Sequence, residues 1–151
     1  MRAAKSSRKG SSNVVSSVLL TVISIAAVAL FAVFVFSILN RVDFEVVGTP
    51  KIIRDSSGKY YLEIDIHNTG TRDIVQLKVS GPQDSSINKL DLLDKGEVLQ
   101  AGKERSFVVD LGASGPPVGS QVLLTISAYT STSSSSSPDT EKTATAVVTQ
   151  V

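Results

Sequence analysis

The chain lacks cysteine and tryptophan, and its 151 residues include one histidine and one methionine. The absence of cysteine excludes disulfides, thiolate nucleophiles and cysteine-ligated zinc. The single histidine, His67, excludes a histidine-cluster metal site and argues against most hydrolytic triads. No G-x-S-x-G motif and no glycine-rich phosphate loop occurs. We therefore expect neither an enzyme nor a bound metal or cofactor.

Two polar sets remain as candidates for a site. His67 alternates with acidic residues on the polar side of a predicted strand, where a lone histidine is most often a surface residue. A cluster of carboxylates in the middle of the chain could contact a cation, but the spacing of an EF-hand loop is absent and a solvated edge is the simpler interpretation. This cluster consists of Asp91, Asp94 and Glu97.

Positive charge is concentrated at the start of the chain. The first ten residues carry four basic side chains, Arg2, Lys5, Arg8 and Lys9, and no acidic one, whereas the remainder has a net charge of −3. The remainder is therefore not expected to bind nucleic acid. Basic residues beside a long apolar segment are typical of a topology signal that keeps the N-terminus in the cytoplasm.

An uninterrupted apolar run occupies residues 14–39, with no charge, proline or glycine. The polar residues before it provide N-cap chemistry, and Gly48 and Pro50 are the first helix breakers after it. We predict a helix over residues 11–42 that ends between 40 and 44. At about 1.5 Å per residue it spans a hydrocarbon core of about 30 Å, and a helix apolar on every side must be buried in lipid or in protein.

Small hydroxyl residues follow one another along this helix at Ser17, Thr21 and Ser24. One interpretation is a surface for close helix–helix contact, with hydroxyls bonding across the interface. The other is that the hydroxyls bond carbonyls of their own helix and mark no interface.

Residues 43–151 show apolar residues in alternation, which is the period of β-strands. The turn signal at residues 68–71 separates two such segments, so we expect them to form a hairpin. We predict an α+β chain in which the long N-terminal helix precedes an antiparallel, immunoglobulin-like β-sandwich of about seven strands. The predicted strand segments are 60–66, 75–79, 90–93, 96–99, 107–111, 122–128 and 144–148.

A low-complexity stretch, STSSSSSPD, lies between the last two predicted strands at residues 131–139. Such a segment cannot pack and must lie on the surface. Its hydroxyls either carry O-linked sugars or belong to a plain flexible loop.

Three features resemble archaeal type IV pilins, whose class III signal peptide is shared with archaellins. They are a short basic leader ending in Arg8-Lys9-Gly10, a polar start at residues 11–13, and a long apolar helix before a β-domain. The motif covers the first 40 residues, and the remainder matches only in architecture. Bacterial type IV pilins usually have Phe first and Glu fifth after the cut, where this chain has Ser11 and Val15. The absence of glycine from the helix favours an adhesion-type pilin over an archaellin.

The resemblance implies a life cycle for the chain. A prepilin peptidase would recognise Lys9 and Gly10 and cut before Ser11, which removes the leader at 1–10. The membrane-anchored precursor, with its N-terminus inside, would then be assembled by an ATPase and a membrane platform into an extracellular homopolymer. The helices would form the filament core and residues 43–151 its outside. The helix residues expected to pack in that core are Val14, Val18, Thr21, Ile25, Val28, Phe31, Phe34 and Ile38.

A different function stays open on the same pattern. A membrane-anchored accessory or stator protein of an archaellum or secretion machine also combines one N-terminal helix with a β-sandwich, and it needs no cleavage. The site at Lys9-Gly10 distinguishes the two. A membrane-attached solute-binding module is the third alternative, and the absence of a lipobox cysteine and of clustered aromatics argues against it.

Overall fold

A computed structural model of the chain describes residues 7–82, 87–132 and 137–151, with side chains from residue 11 onward. The chain divides into two units, Met1–Leu39 and Asn40–Val151. The described part of the first unit is a single helix, and the strands of the described residues lie in the second unit.

The helix, α1, extends over Ser7–Leu39. It begins about one turn before the predicted start at residue 11, and Gly10 lies inside it. It ends at Leu39, three residues before the predicted end at residue 42, because the chain from Asn40 onward is engaged by the β-domain. The apolar run therefore forms one continuous helix.

Seven strands form a single sheet that curls into a half-barrel. The predicted fold class, a long N-terminal helix followed by a sandwich-like domain of about seven strands, is confirmed. The strand order across the sheet is β4-β3-β6-β7-β1-β2-β5. The strands are β1 (Glu45–Arg54), β2 (Tyr60–His67), β3 (Gln76–Ser80), β4 (Leu90–Asp91), β5 (Glu104–Gly112), β6 (Gln121–Tyr129) and β7 (Thr140–Gln150).

One neighbouring pair departs from the antiparallel expectation. The first and last strands, β1 and β7, run parallel, and they pair over Lys51–Arg54 and Val147–Gln150. All other pairings in the sheet are antiparallel. The sheet is therefore mixed, and the parallel pair joins its two antiparallel halves, β4-β3-β6-β7 and β1-β2-β5.

The predicted hairpin between β2 and β3 is wrong. Strand β2 pairs with β1 and β5, whereas β3 pairs with β4 and β6, so residues 68–71 carry the chain from one half of the sheet to the other. Asn68 is fully buried, and its side chain holds the crossing segment in place by hydrogen bonds. Its side-chain amide donates to the carbonyls of Arg72 and Leu99 at 2.8 and 3.0 Å, and its Oδ1 accepts from the Gly70 amide at 3.0 Å.

Two strand assignments also differ from the sequence prediction. The sequence pattern does not predict strand β1, because Gly48 and Pro50 are typical strand breakers. The structure accommodates both in a β-bulge, which shifts the β1–β2 register between Val47 and Lys51. The predicted strand at 96–99 is not formed, and within it only Leu99 pairs, in an isolated bridge with Ile74.

The core is one cluster of buried apolar residues contributed by most of the strands. The alternating apolar residues of β2 and β6 point inward and are almost fully buried, as their period predicts. Burying one such side chain contributes about 1.5–3 kcal/mol, so a few of them dominate the stability of the domain. The fully buried residues include Phe44, Ile52, Leu62, Ile66, Leu77 and Leu124.

Three predicted segments lie partly outside the described residues. The residues outside the description are 1–6 of the predicted leader at 1–10, 83–86 after β3, and 133–136 of the serine-rich stretch at 131–139. Both interpretations of that stretch, O-linked sugars and a plain flexible loop, stay open.

Candidate functional site

The helix surface is the largest apolar feature of the chain. The span Ser11–Leu39 is 29 residues long and is long and apolar enough to cross a membrane. At about 1.5 Å per residue it measures about 43 Å. None of its side chains is buried within the chain, so its apolar surface needs lipid or other protein around it.

The eight predicted packing residues are all exposed in the single chain. The seven apolar ones expose between 47% and 68% of their surface, and Thr21 is exposed as well. Since a helix turns by about 100° per residue, Val14, Val18, Thr21, Ile25 and Val28 lie within an arc of about 80°. The last three lie outside this arc: Phe31, Phe34 and Ile38. An environment that contacts all eight must therefore surround the helix on several sides.

Three hydroxyl groups of the helix bond to its own backbone. Thr21 Oγ1 donates to the carbonyl of Ser17 at 2.9 Å, and Ser24 Oγ donates to that of Leu20 at 2.8 Å. Ser37 Oγ donates to the carbonyl of Phe34 in the same way, at 2.8 Å. For Thr21 and Ser24 this is the bonding that the second interpretation describes, and a helix–helix interface along the same residues stays a prediction. With these two donors satisfied internally, the hydroxyls of Thr21 and Ser24 can face hydrocarbon without an unpaired polar group.

The predicted processing site lies near the beginning of α1. Lys9, Gly10 and Ser11 are consecutive residues of the first turns. Its use as a cleavage site stays a prediction.

Comparison with models of protein families finds no match, and comparison with curated proteins finds no similar sequence.

The segment that follows the helix is fastened to the β-domain, and we call residues 40–44 the neck. On one side it contacts residues 68–71, which cross between the two halves of the sheet and which we call the crossing loop. The amide of Thr71 donates to the carbonyl of Arg41 at 2.9 Å, and the amide of Gly70 donates to that of Asp43 at 3.1 Å. On the other side, the hydroxyl of Thr140 in β7 donates to the carbonyl of Val42 at 2.9 Å. The neck is therefore held from two elements.

Asp43 is the charged centre of the neck. Its carboxylate pairs with Lys142 Nζ at 2.8 Å and with Arg41 Nη2 at 2.7 Å, and its side chain is 20% exposed. The same carboxylate accepts from the amide of Phe44 at 2.9 Å. Hydrogen bonds from Lys142 and then from Arg41 hold the pKa of Asp43 below its usual range, although desolvation opposes them.

Lys142 also lies 5.6 Å from the ring centre of Phe44, which is fully buried. The ammonium group therefore contributes an ion pair and a cation–π contact at the start of β1. Phe44 anchors the neck in the core, and Lys142 covers it.

Gly70 leaves no room for a side chain beside the neck. A Cβ at this position would lie 2.6 Å from the carbonyl oxygen of Arg41 and 2.7 Å from the amide nitrogen of Asp43. Both are backbone atoms, so neither can turn away. The glycine is required because the neck passes directly over the crossing loop.

Sequence reasoning missed the neck. The turn signal at residues 68–71 was visible, but nothing local connects it to Asp43. The partners Thr140 and Lys142 lie 98 and 99 positions after the neck residues that they bind. Only the pairing of the first and last strands brings them together.

The other polar candidates lie at separate places on the β-domain, and Asp94 is exposed. Glu97 pairs with Arg105 at 3.1 Å, which lowers the pKa of Glu97, and Asp91 lies exposed in the short strand β4. His67 lies half-buried at the end of β2. In the part of the chain that the structure describes, no group of three or more histidine and carboxylate side chains is placed to hold a metal ion.

Proposed function

We propose that this protein is a structural subunit of an archaeal type IV pilus-like extracellular filament, which polymerises through its N-terminal helix and serves surface adhesion. The observation that carries the proposal is the unbroken 29-residue helix with apolar side chains exposed on all sides, joined directly to a folded β-domain. The function is structural and requires no catalytic residue or cofactor.

The helix suits two successive environments. In the precursor it spans the membrane, with the basic leader inside and the β-domain outside. In the filament it packs among copies of itself. Neither environment is aqueous, so association rests on close packing rather than on hydrophobic transfer. The internally bonded hydroxyls of Thr21 and Ser24 fit both environments.

The proposed partners follow from this cycle. A prepilin peptidase cleaves between Gly10 and Ser11, and an assembly ATPase with its membrane platform moves the mature subunit into the growing filament. The filament itself contains many copies of the chain. The final location is the cell surface.

Substitution of Gly10 tests the proposal. In cells that contain a class III signal peptidase, Gly10→Leu is expected to leave the leader attached and to reduce surface filaments at least tenfold. Ser7→Leu is the matched control, because it places the same side chain in the leader without altering the cut, and it should leave filament number unchanged. Electron microscopy of shed material and N-terminal sequencing are the two measurements.

Two outcomes would count against the proposal. Filaments whose subunits still begin at Met1 would refute the processing step. A Gly10→Leu chain that stays in the membrane fraction and supports a working surface machine would instead identify an anchored accessory or stator protein.

A further inference from the structure

The sheet contains an opening between its first and last strands. Strands β1 and β7 pair only over Lys51–Arg54 and Val147–Gln150. Before this region β7 continues to pair with β6 on its other side, but no strand lies beside it on the β1 side among the described residues. We call the opening the β1–β7 gap. It is a cavity of about 340 Å³ lined by residues of 45–50 and by 142–145.

Pro50 explains why the parallel ladder stops. In a parallel pair the bonds are evenly spaced, and every second residue of a strand bonds to the same neighbour. Ile52 lies opposite Val148 in this pattern. Two residues earlier, the next rung requires the amide of residue 50 to donate to the carbonyl of Thr145, and proline has no amide hydrogen. Gly48, which lies two residues before Pro50, has a φ of +69°, so its backbone departs from the strand conformation.

The main chain of β7 directs N–H and C=O groups toward the gap, where no pairing with β1 is formed among the described residues. The amide of Val148 donates to the carbonyl of Ser120 on the β6 side, at 3.0 Å, whereas the amide of Val151 donates to the carbonyl of Arg54 on the β1 side, at 3.1 Å. Since these directions alternate along a strand, Thr143 and Thr145 present their N–H and C=O groups to the gap. Two donors and two acceptors therefore lie there at a spacing of two residues.

Both ends of the gap are closed by fixed contacts. At one end the neck is tied to β7 through Asp43 and Lys142, at 2.8 Å, and through Val42 and Thr140, at 2.9 Å. At the other end Lys51 pairs with Val147. The β1–β7 gap therefore lies between two fixed points of the sheet and is not a frayed edge. Because the site is preorganised, a ligand that binds there does not bear the entropic cost of ordering it.

We infer that the β1–β7 gap binds a short extended peptide segment of another protein, which completes the ladder along Thr143 and Thr145. The two-residue spacing of the main-chain groups is that of a strand, and main-chain bonding is the basis of strand addition. The cavity lies at the lower end of the range of about 300–1,000 Å³ for ligand sites, so it accommodates only a few residues.

The residues that line the cavity determine the size and charge of the peptide side chains that fit. Gly48 and Ala144 are small, and the cavity holds one acidic and one basic residue, Glu45 and Lys142. An uncharged segment with small side chains fits both the space and the charge balance. This site goes beyond the filament function, because it provides the β-domain with a partner of its own.

Amide hydrogen exchange of the full chain in detergent micelles tests the gap directly. We expect the amides of Thr143 and Thr145 to exchange at least tenfold faster than those of Ala144 and Ala146, which face β6. The probe is the blocked tripeptide acetyl-Ala-Thr-Ala-amide. At saturating concentration it should slow exchange at Thr143 and Thr145 at least fivefold, and the same peptide with N-methylated amides should not.

Two variants separate main-chain binding from side-chain recognition. Thr143→Val removes a hydroxyl and keeps the backbone, so the peptide should protect it as it protects the unmodified chain. Thr145→Pro removes one amide that faces the gap and should abolish the protection of Thr143. If Thr145→Pro does not fold, the exchange rates and the N-methylated peptide decide the question in the unmodified chain.

Three results would overturn the inference. One is slow exchange of Thr143 and Thr145 without any peptide, which would mean that the gap is closed in solution. Another is equal protection by the N-methylated peptide. The third is protection by a sugar such as maltose in place of the peptide, which would assign the gap to a hydroxyl-rich ligand instead.

Discussion

At the scale of single residues, the neck depends on one carboxylate and one glycine. Asp43 accepts three hydrogen bonds, from Lys142, Arg41 and Phe44, and its own carbonyl is bonded by Gly70. Each exposed ion pair contributes only about 0–1 kcal/mol, but partial burial and the shared carboxylate make this set stronger than a single surface pair.

Asp43→Asn is expected to lower the stability of the β-domain by about 1–2 kcal/mol, because it removes both ion pairs while keeping the shape of the side chain. Thermal unfolding in micelles, followed by circular dichroism, measures the change. Asp94→Asn is the control, since Asp94 is exposed and forms no ion pair among the described residues. Equal melting temperatures for the two variants would show that the neck pairs contribute no stability.

The lowered pKa of Asp43 gives its contribution a defined pH dependence. A carboxylate whose pKa is lower in the folded state stabilises the fold fully above its unfolded pKa, and the contribution is lost as the pH falls through the folded pKa. The difference in melting temperature between the native chain and Asp43→Asn should therefore be constant near neutral pH and shrink below about pH 4. A difference that grows on acidification would contradict the assignment.

Gly70→Ala is expected to destabilise the domain by about 2 kcal/mol or more, because its Cβ would meet two backbone atoms of the neck at 2.6 and 2.7 Å. The sign of the change in the free energy of unfolding distinguishes a steric clash from a tolerated side chain. Gly70 is not in the left-handed region, and an alanine that fitted would stabilise by about 0.4–1 kcal/mol. Urea unfolding gives the free energy, and Thr69→Ala, in the same loop with an exposed side chain, is the control.

At the scale of elements, the helix should tolerate charge only at its ends. Ala27 lies near the middle of the span Ser11–Leu39, where an arginine costs about 2.5–3.5 kcal/mol on insertion scales. Ala27→Arg should therefore reduce the membrane-inserted fraction strongly in a protease-protection assay. Asn40→Arg, beside the native Arg41, should insert like the native chain, and equal insertion of both variants would exclude a membrane-spanning role.

The helix and strands also show which parts of the fold can be predicted from the sequence. The helix and most strands could be predicted, because apolar periodicity is local. Strand β1 could not, since Gly48 and Pro50 conceal it, and the wrong β2–β3 hairpin assumed that neighbours in sequence are neighbours in the sheet. Strand partners depend on contacts between distant residues, such as Lys51 with Val147. For the same reason the helix part of the candidate site was visible in the sequence, and the neck was not.

At the scale of the whole molecule, the two units have opposite solvent requirements. The unit Asn40–Val151 has its own core, whereas α1 has none. A chain of residues 40–151 should therefore be soluble without detergent and should melt within about 3 °C of the full chain in micelles, since no core residue is lost. Circular dichroism measures both. A fragment that is unfolded or aggregated in water would show that the β-domain depends on the helix.

The parallel pairing of β1 and β7 also places the neck and Val151 at opposite ends of strand β1. The chain enters the domain at the neck, just before Glu45, and Val151 ends beside Arg54 at the opposite end of β1. At about 3.3 Å per residue these two points lie about 30 Å apart along the strand. Val151 is 82% exposed. A label attached to the side chain of residue 151 would thus lie at the end of β1 remote from the neck, so it would mark the β-domain without contacting the segment that leads to the helix.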